Sequence, residues 1–185
     1  MLRNRIRRVP VTVRDTHYIH EYLILPDVAA VVAEVDTGVI LVEQFRPALG
    51  RRILELPAGR LHRGEQAQAG ARRELQEETG YVAGELRLLA RFYPSVGLSR
   101  HKVHLYYTKN PAKGDTNWDD TEEIEVKVVP VSEVPAMLGD SRAADAKTQL
   151  GLVYFLASRG WTVVHGRWTP PRIGRAPTRA SQVSP

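Results

Sequence analysis

The sequence contains no cysteine among its 185 residues, and this absence removes several classes of chemistry at once. The protein has no disulfide framework, no thiolate nucleophile and no thiolate-bound metal. It also lacks any run of about 18 apolar residues, and its opening residues, MLRNRIRRVP, have no apolar segment of the kind found in signal peptides. We therefore expect a cytoplasmic protein without a membrane span, in which a metal ion would bind to oxygen or imidazole nitrogen.

Acidic residues are missing from both ends of the chain. Residues 1–10 and 161–185 each carry four arginines and no acid, whereas the whole chain has a net charge of +5. The middle therefore holds 18 basic residues against 21 acidic ones. We interpret residues 1–10 as a basic N-terminal extension, 11–160 as one domain and 161–185 as a basic, flexible tail. Because the positive charge belongs to the ends, nucleic acid is not the partner that we expect.

Apolar patterning predicts one domain that mixes strands and helices. Two segments near the N-terminus, 11–15 and 17–25, have the pattern of an antiparallel hairpin. The run VAAVVAEV at 28–35 predicts a strand that is buried on both faces, paired with 39–45 through a turn at 36–38. Further strands are predicted at 86–92, 103–108 and 124–129, and helices at 132–138 and 143–158.

One stretch carries most of the functional information. Residues 56–81 read LPAGRLHRGEQAQAGARRELQEETGY. Glu65 follows Gly59 after five residues, and seven more residues lead to the run RELQEETG, which begins at Arg73. Glycine at position 59 allows a tight turn or a close approach that a side chain would forbid.

The carboxylates of this run would share one face of a helix. Glu78 lies four residues after Glu74 and Glu77 lies three after it, so all three side chains meet within one turn. Such crowding is repulsive, and a hard cation that prefers oxygen ligands, such as Mg²⁺, would relieve it. Arg73 is placed to pair with Glu77. The opposite face, Ala67, Ala71 and Leu75, is a narrow apolar stripe that would pack on a sheet. The alternative is a solvated amphipathic helix whose charges simply face water.

This spacing resembles the Nudix box: glycine, five residues, glutamate, seven residues, then R-E-aliphatic-x-E-E-x-G-aliphatic. Only the last position departs, with Tyr81 in place of an aliphatic residue. The segments VEQFRP at 42–47 and LELPAG at 54–59, together with Pro94 and the run AADAKT at 143–148, resemble the ADP-ribose pyrophosphatase branch of that family. Members of that branch hydrolyse nucleoside diphosphate sugars.

The resemblance implies an α+β fold, a Nudix-type α/β/α sandwich around a mixed β-sheet, with an N-terminal antiparallel hairpin. It implies a homodimer in which that hairpin reaches the partner subunit. The implied reaction is Mg²⁺-dependent hydrolysis, with Mn²⁺ as a substitute, of the diphosphate bond in a nucleoside diphosphate sugar. ADP-ribose is the first candidate and GDP-mannose or a UDP-sugar the next; the products are a nucleoside monophosphate and a sugar phosphate.

The resemblance also assigns roles to residues of this chain. It implies metal ligation by Ala58, Glu74, Glu77 and Glu78. Glu77 and Glu78 are in addition expected to be catalytic, and the general base is expected on a loop, at Glu122 or Glu123. Substrate contacts are expected from Arg46, Glu55, Tyr18, Tyr22 and Arg100. Arg46 suits a diphosphate because its planar fork matches phosphate oxygens, whereas the tyrosines could equally be packing residues.

One loop departs from the branch, and two other functions stay open. Residues 93–101 resemble the loop Pro-Ser-Pro-Gly-x-Ser-x-Glu, but Val96 replaces the second proline and His101 replaces the acid. This difference leaves the choice of sugar open. The alternatives are a non-catalytic, ligand-sensing Nudix-like domain, which would be expected to have lost box acids, and an RNA 5′-end pyrophosphohydrolase, which only the arginine-rich ends support.

Overall fold

A mixed β-sheet built around one buried strand organises the molecule. The structure is a computed structural model, and it describes residues 5–114 and 123–171. At the centre, β3 (Val28–Val35) pairs antiparallel with β4 (Gly38–Arg46) and β6 (Ala58–Arg60), and parallel with β9 (Val103–Lys109). The outer strands are β5 (Arg51–Glu55) and β11 (Ile124–Pro130), which pair with β4, and β8 (Arg87–Phe92), which pairs with β9.

Helices cover both faces of this sheet. On one face α1 (Ala67–Thr79) packs through Ala71 and Leu75. On the other face lie α2 (Val134–Met137) and α3 (Ala146–Ser158). Helix α3 contributes the fully buried Phe155 to the core on that face. The arrangement confirms the predicted α/β/α sandwich with a mixed sheet.

The side chains of β3 show why the sheet lies at the centre. Ala30 and Val32 belong to the core under α3, whereas Val31 and Ala33 belong to the core under α1. All four are completely buried. An unbroken apolar run is what a strand covered on both faces requires, since successive side chains point to opposite faces.

The N-terminal hairpin is present and longer than predicted. Strands β1 (Arg5–Val13) and β2 (Thr16–Ile24) pair antiparallel along their full lengths. The first strand therefore begins inside the stretch predicted as a basic extension. Pro10 does not interrupt it, because proline is tolerated in a strand whose other edge is unpaired.

The boundaries at the C-terminal end also differ from the prediction. Helix α3 begins at Ala146 rather than 143, after a 3₁₀ turn at Ser141–Ala143, because Asp145 caps it by accepting the backbone N–H groups of Lys147 and Thr148. Part of the predicted tail forms a hairpin of β12 (Thr162–Val164) and β13 (Arg167–Thr169). Trp161 and Trp168 pack against the core under α3, which gives this hairpin an apolar anchor.

Two short strands complete the described structure, β7 (Tyr81–Val82) and β10 (Ala112–Lys113), which pair antiparallel after α1. Within residues 5–114 and 123–171, none of the helices combines the length and apolarity needed to cross a bilayer.

Candidate active site

A cleft of about 1080 Å³ opens where β6 and the first half of β3 meet α1. Side chains of both charges line it. The acidic side chains that line it are Asp27, Glu65, Glu74 and Glu78, and the basic ones are Arg46, Arg60, Arg63 and Lys147. The volume is sufficient for a ligand of nucleotide-sugar size.

Helix α1 delivers two buried carboxylates to this cleft. Glu74 and Glu78 are only 9% and 7% exposed, on the side of the helix that faces the sheet with Leu75. Glu77 lies on the same helix, but its side chain is 39% exposed and is not among those that line the cleft. Glu77 therefore differs from the other two acids in its exposure and in not lining the cleft.

Arg73 holds the acidic residues of the motif together. Its Nη1 donates to Glu74 at 2.8 Å and to Glu77 at 2.8 Å, while its Nε donates to Glu65 at 2.9 Å. The hydrogen bond to Glu65 raises the pKa of Arg73 further. The same hydrogen bond lowers the pKa of Glu65 to about 2, so this carboxyl group is ionised at neutral pH.

The turn before the helix fits closely against these acids. The backbone N–H of Ala58 donates to Glu78 Oε2 at 2.9 Å. A Cβ atom at Gly59 would overlap the carboxylate of Glu74, so only glycine leaves room for that side chain. The glycine of the motif is thus required by a close approach between β6 and α1.

Two of the basic side chains of the cleft are held by another buried carboxylate. Glu55, only 2% exposed, accepts hydrogen bonds from Arg46, with Nη2 at 2.8 Å, and from Lys147. Burial by itself raises the pKa of Glu55, but the hydrogen bond from Arg46 and the charge of Lys147 outweigh it, and the pKa lies below its usual range. Glu55 therefore stays charged and holds two cations at the edge of the cleft.

Helix α3 is hydrogen-bonded to the segment that carries Glu55. Thr148 Oγ1 accepts the backbone N–H of Leu56 at 2.9 Å, and Asp145 accepts a hydrogen bond from Lys147 Nζ at 3.0 Å. The bond between Leu56 and Thr148 and the bond from Lys147 to Glu55 each connect residues 92 positions apart in sequence. The cleft is therefore assembled from distant parts of the chain.

The donor set fits a hard divalent cation. Within the described residues, no three His, Asp or Glu side chains are arranged as a ready metal site. The guanidinium of Arg73 is hydrogen-bonded to both Glu74 and Glu77. Mg²⁺ needs only one or two carboxylates because it keeps several waters, and Glu74 and Glu78 in one cleft meet that requirement.

Several predicted residues lie away from the cleft. Tyr18 and Tyr22 lie on β2, where Tyr22 stacks with His20 at 6.4 Å between ring centroids, and neither tyrosine lines the cleft within the described structure. Arg100 is exposed in the loop after β8 and does not line it either. Glu123 is exposed, with Oε1 3.6 Å from Arg52 Nη1; Glu122 lies outside the described residues.

Other residues of the cleft were not assigned a role from the sequence. They are Asp27, Gln44, Arg60, Arg63 and Lys147. Lys147 belongs to the run AADAKT, which indicated the family branch but no role for this lysine. Its partner Glu55 lies 92 positions away in sequence. Arg60 and Arg63 lie in the segment RLHRG, between Gly59 and Glu65 of the motif. Their position between two motif residues is the feature of the sequence that could have predicted their place in the cleft.

Comparison with known proteins agrees with this geometry. The NUDIX domain model matches residues 24–150. An ADP-ribose pyrophosphatase of Bacillus subtilis (strain 168) is 36% identical over 132 residues, which is 70% of this chain and 71% of that protein. A GDP-mannose pyrophosphatase of Citrobacter koseri is 33% identical over 129 residues, 65% of this chain and 67% of that protein.

A solved structure shares the fold. The crystal structure of an ADP compounds hydrolase superposes with a TM-score of 0.76 at 19% sequence identity, covering 86% of this chain and 90% of that one. The motif, the sandwich and these relatives agree. The chain belongs to the NUDIX family and is a Nudix hydrolase of the ADP-ribose pyrophosphatase-like branch.

Proposed function

We propose that this protein hydrolyses the diphosphate bond of a nucleoside diphosphate sugar in a Mg²⁺-dependent reaction. The observation that carries the proposal is the meeting of acidic and basic side chains in one cleft. Glu74 and Glu78 form the metal side, and Arg46 and Lys147 form the side that contacts phosphate oxygens. The relatives named as ADP-ribose and GDP-mannose pyrophosphatases support this substrate class.

The proposed reaction is attack of water on one phosphorus of the diphosphate. The bond from that phosphorus to the bridging oxygen breaks, and the bridging oxygen leaves with the other phosphate, which gives a nucleoside monophosphate and a sugar phosphate. A bound divalent cation would supply charge neutralisation and a lowered pKa of coordinated water. Glu74 and Glu78, with Ala58 and Glu77 as the further predicted ligands, would hold that cation.

Arg46 and Lys147 would orient the diphosphate. Arg46 can present its guanidinium to two phosphate oxygens at once. Glu55 fixes the positions of Arg46 and Lys147 by accepting from both, so these cations are ordered before substrate arrives. The water proton needs an acceptor outside the box, and Glu123 or Glu122 is proposed for that role.

The first experiment is a substrate panel with ADP-ribose, GDP-mannose, UDP-glucose and 5′-triphosphate RNA, each with Mg²⁺ and with chelator. The expected result is cleavage of a diphosphate sugar that requires the metal, with ADP-ribose first and no preference for RNA. Substitution of Mn²⁺ should retain activity. Absence of turnover on all three diphosphate sugars would contradict the proposal.

We further propose that the protein is a homodimer joined through the β1–β2 hairpin. This hairpin exposes three apolar side chains, Ile6, Val13 and Ile19, each by more than half of its surface. Exposed apolar side chains of this kind favour burial against a partner subunit. The partner's hairpin would then bring Tyr18 or Tyr22 to the cleft, where this chain's own do not lie. Light scattering should give a dimer, and Ile19→Glu should give a monomer; a monomeric wild-type protein would refute the arrangement.

A further inference from the structure

The cations of the cleft are of two kinds. Arg46 and Lys147 are engaged by the buried Glu55. Arg60, at the end of β6, and Arg63, in the turn that follows, also line the cleft, but within residues 5–114 and 123–171 their guanidinium groups have no hydrogen-bond or ion-pair partner. Two arginines thus face the ligand space with their donors uncommitted.

The turn that carries them is firmly held. The backbone N–H of His62 donates to Glu65 Oε2 at 2.8 Å, and that of Glu65 donates to the carbonyl oxygen of His62 at 3.1 Å. Gly64 closes the turn with φ of 81°, in the left-handed region that favours glycine.

The Nudix motif itself fixes this turn. Arg73 donates to both carboxylate oxygens of Glu65, at 2.9 and 3.0 Å, and to the carbonyl oxygen of Arg60 at 3.2 Å. The backbone that presents Arg60 and Arg63 is therefore positioned by the same arginine that orders the acids of α1. Ordering of this backbone before binding reduces the entropy lost when a ligand is captured.

The cleft holds more basic side chains than the two that Glu55 positions. Under the proposed function, Arg46, Lys147 and the cation expected at Glu74 and Glu78 contact the two phosphates. Two additional arginine forks are suited to a further phosphate or carboxylate group, which each can bind through two parallel hydrogen bonds. The cleft volume of about 1080 Å³ leaves room for such a group.

We propose that Arg60 and Arg63 form a second anion subsite, which binds a phosphate or carboxylate that the substrate carries in addition to its diphosphate. The inference rests on the proposed function and narrows it, because the preferred substrates become nucleoside diphosphate sugars with a third anionic group. That group lies either on the sugar, as in a uronic acid, or on the nucleoside, as in a ribose 2′-phosphate.

Two matched pairs of substrates test the subsite. UDP-glucuronate differs from UDP-glucose only by a carboxylate in place of a hydroxymethyl group, and ADP-ribose 2′-phosphate differs from ADP-ribose only by a phosphate. The measured quantity is the ratio of kcat/KM for the anionic member to that for the neutral member. We expect a ratio of about ten in one pair, corresponding to one charge-assisted contact. The pair that shows this ratio identifies whether the subsite binds the anionic group on the sugar or on the nucleoside of the substrate.

Substitutions then assign the preference to the two arginines. Arg63→Gln and Arg60→Gln should each lower the ratio severalfold, and because both side chains are exposed, the melting temperature should stay close to that of the wild type. Arg87→Gln is the matched control, since Arg87 lies on β8 over the ring of Tyr107, away from the cleft, and the same loss of charge there should leave the ratio unchanged.

Failure of this inference can be distinguished from failure of the proposed function. A wild-type ratio near one in both pairs, or a ratio that neither substitution changes, would overturn the subsite while leaving hydrolysis intact. If no diphosphate sugar is hydrolysed, the proposed function fails, and the same pairs are then compared as ligands by calorimetry with chelator present. Tighter binding of an anionic member that Arg63→Gln abolishes would still support the subsite, and equal binding would refute it.

Discussion

The two ends of β3 both hold buried carboxylates paired with arginine, and only one of them borders the large cleft. At the far end Glu34, 5% exposed, accepts from Tyr107 Oη at 2.7 Å and from Arg159 Nη2 at 2.6 Å, with Lys109 Nζ 3.9 Å away. Burial, followed by the hydrogen bond to Glu34, raises the pKa of Tyr107 to about 12, so the phenol stays a donor.

The charge balance of the two ends is opposite. At Glu34 one acid is served by a phenol and two cations from different elements. At α1 a single guanidinium, that of Arg73, is shared among three carboxylates, and Glu78 stands beside them. A buried ion pair is therefore no mark of an active site by itself; an excess of like charge facing an open cleft is, because it favours a bound cation.

The largest expected effect comes from removing a charge at the acidic end. Glu78→Gln should lower kcat by about a thousandfold or more, since several kcal/mol of metal-dependent stabilisation are lost. The amide oxygen of glutamine can still accept from Ala58, and repulsion within the cluster is reduced. Turnover with Mg²⁺ and the melting temperature of the metal-free protein are the two measurements. A large fall in that melting temperature would show that Glu78 acts mainly in the fold, and the two ends of β3 would then not differ in role.

A smaller loss should follow from crowding the same cluster without altering its charge. Gly59→Ala places a methyl group against the Glu74 carboxylate, and the displaced acid should lower kcat by about ten- to a hundredfold. Gly84→Ala is the matched control, because a Cβ there meets no atom within 4 Å. Equal activity of the two variants would mean that the position of Glu74 does not matter to turnover.

At the other end the effect should be on stability alone. Glu34→Gln leaves Arg159 with a weaker, neutral partner, and the free energy of unfolding should fall by about 1–3 kcal/mol. Denaturant unfolding measures this loss, and kcat on the substrate that the panel identifies should be unchanged. A decrease in kcat as large as that of Gly59→Ala would remove the distinction between the two ends.

The smallest effect should appear in acid. Because the folded-state pKa of Glu65 is about 2, below its ordinary value of 4.5, its ionised form stabilises the fold above pH 4.5. This contribution is lost as the pH falls from 4.5 toward 2. The difference in melting temperature between the wild type and Glu65→Gln should therefore narrow over that range. The exposed Glu85, replaced by glutamine, provides the control, for which the difference should not change in the same way.

The sequence was sufficient where local pattern determines structure. The run VAAVVAEV predicted a strand covered on both faces, and the structure confirms it. The spacing of the motif predicted a helix, which extends over Ala67–Thr79. In both cases the signal lies within about twenty consecutive residues, so no distant contact is needed to interpret it.

Features that depend on distant contacts were missed. Trp161 and Trp168 stabilise a hairpin in the predicted tail only because the core under α3 is within reach. Lys147 joins the cleft through Glu55, and no periodicity relates those two positions. Arg46, Ala58, Glu74 and Glu78 do meet in one cleft, while the roles assigned to them, to Glu77 and to Glu123 stay predictions.

The hydrogen bond from Leu56 to Thr148 has a consequence for the order in which the protein is made. These residues lie 92 positions apart, so at about 5–20 residues per second several seconds of translation separate them. A nascent chain in which the whole Nudix motif has been synthesised still lacks the helix that carries Thr148 and Lys147. The part of the cleft that carries Lys147 is therefore synthesised last, and a chain truncated before α3 would contain every residue of the motif but not the complete cleft.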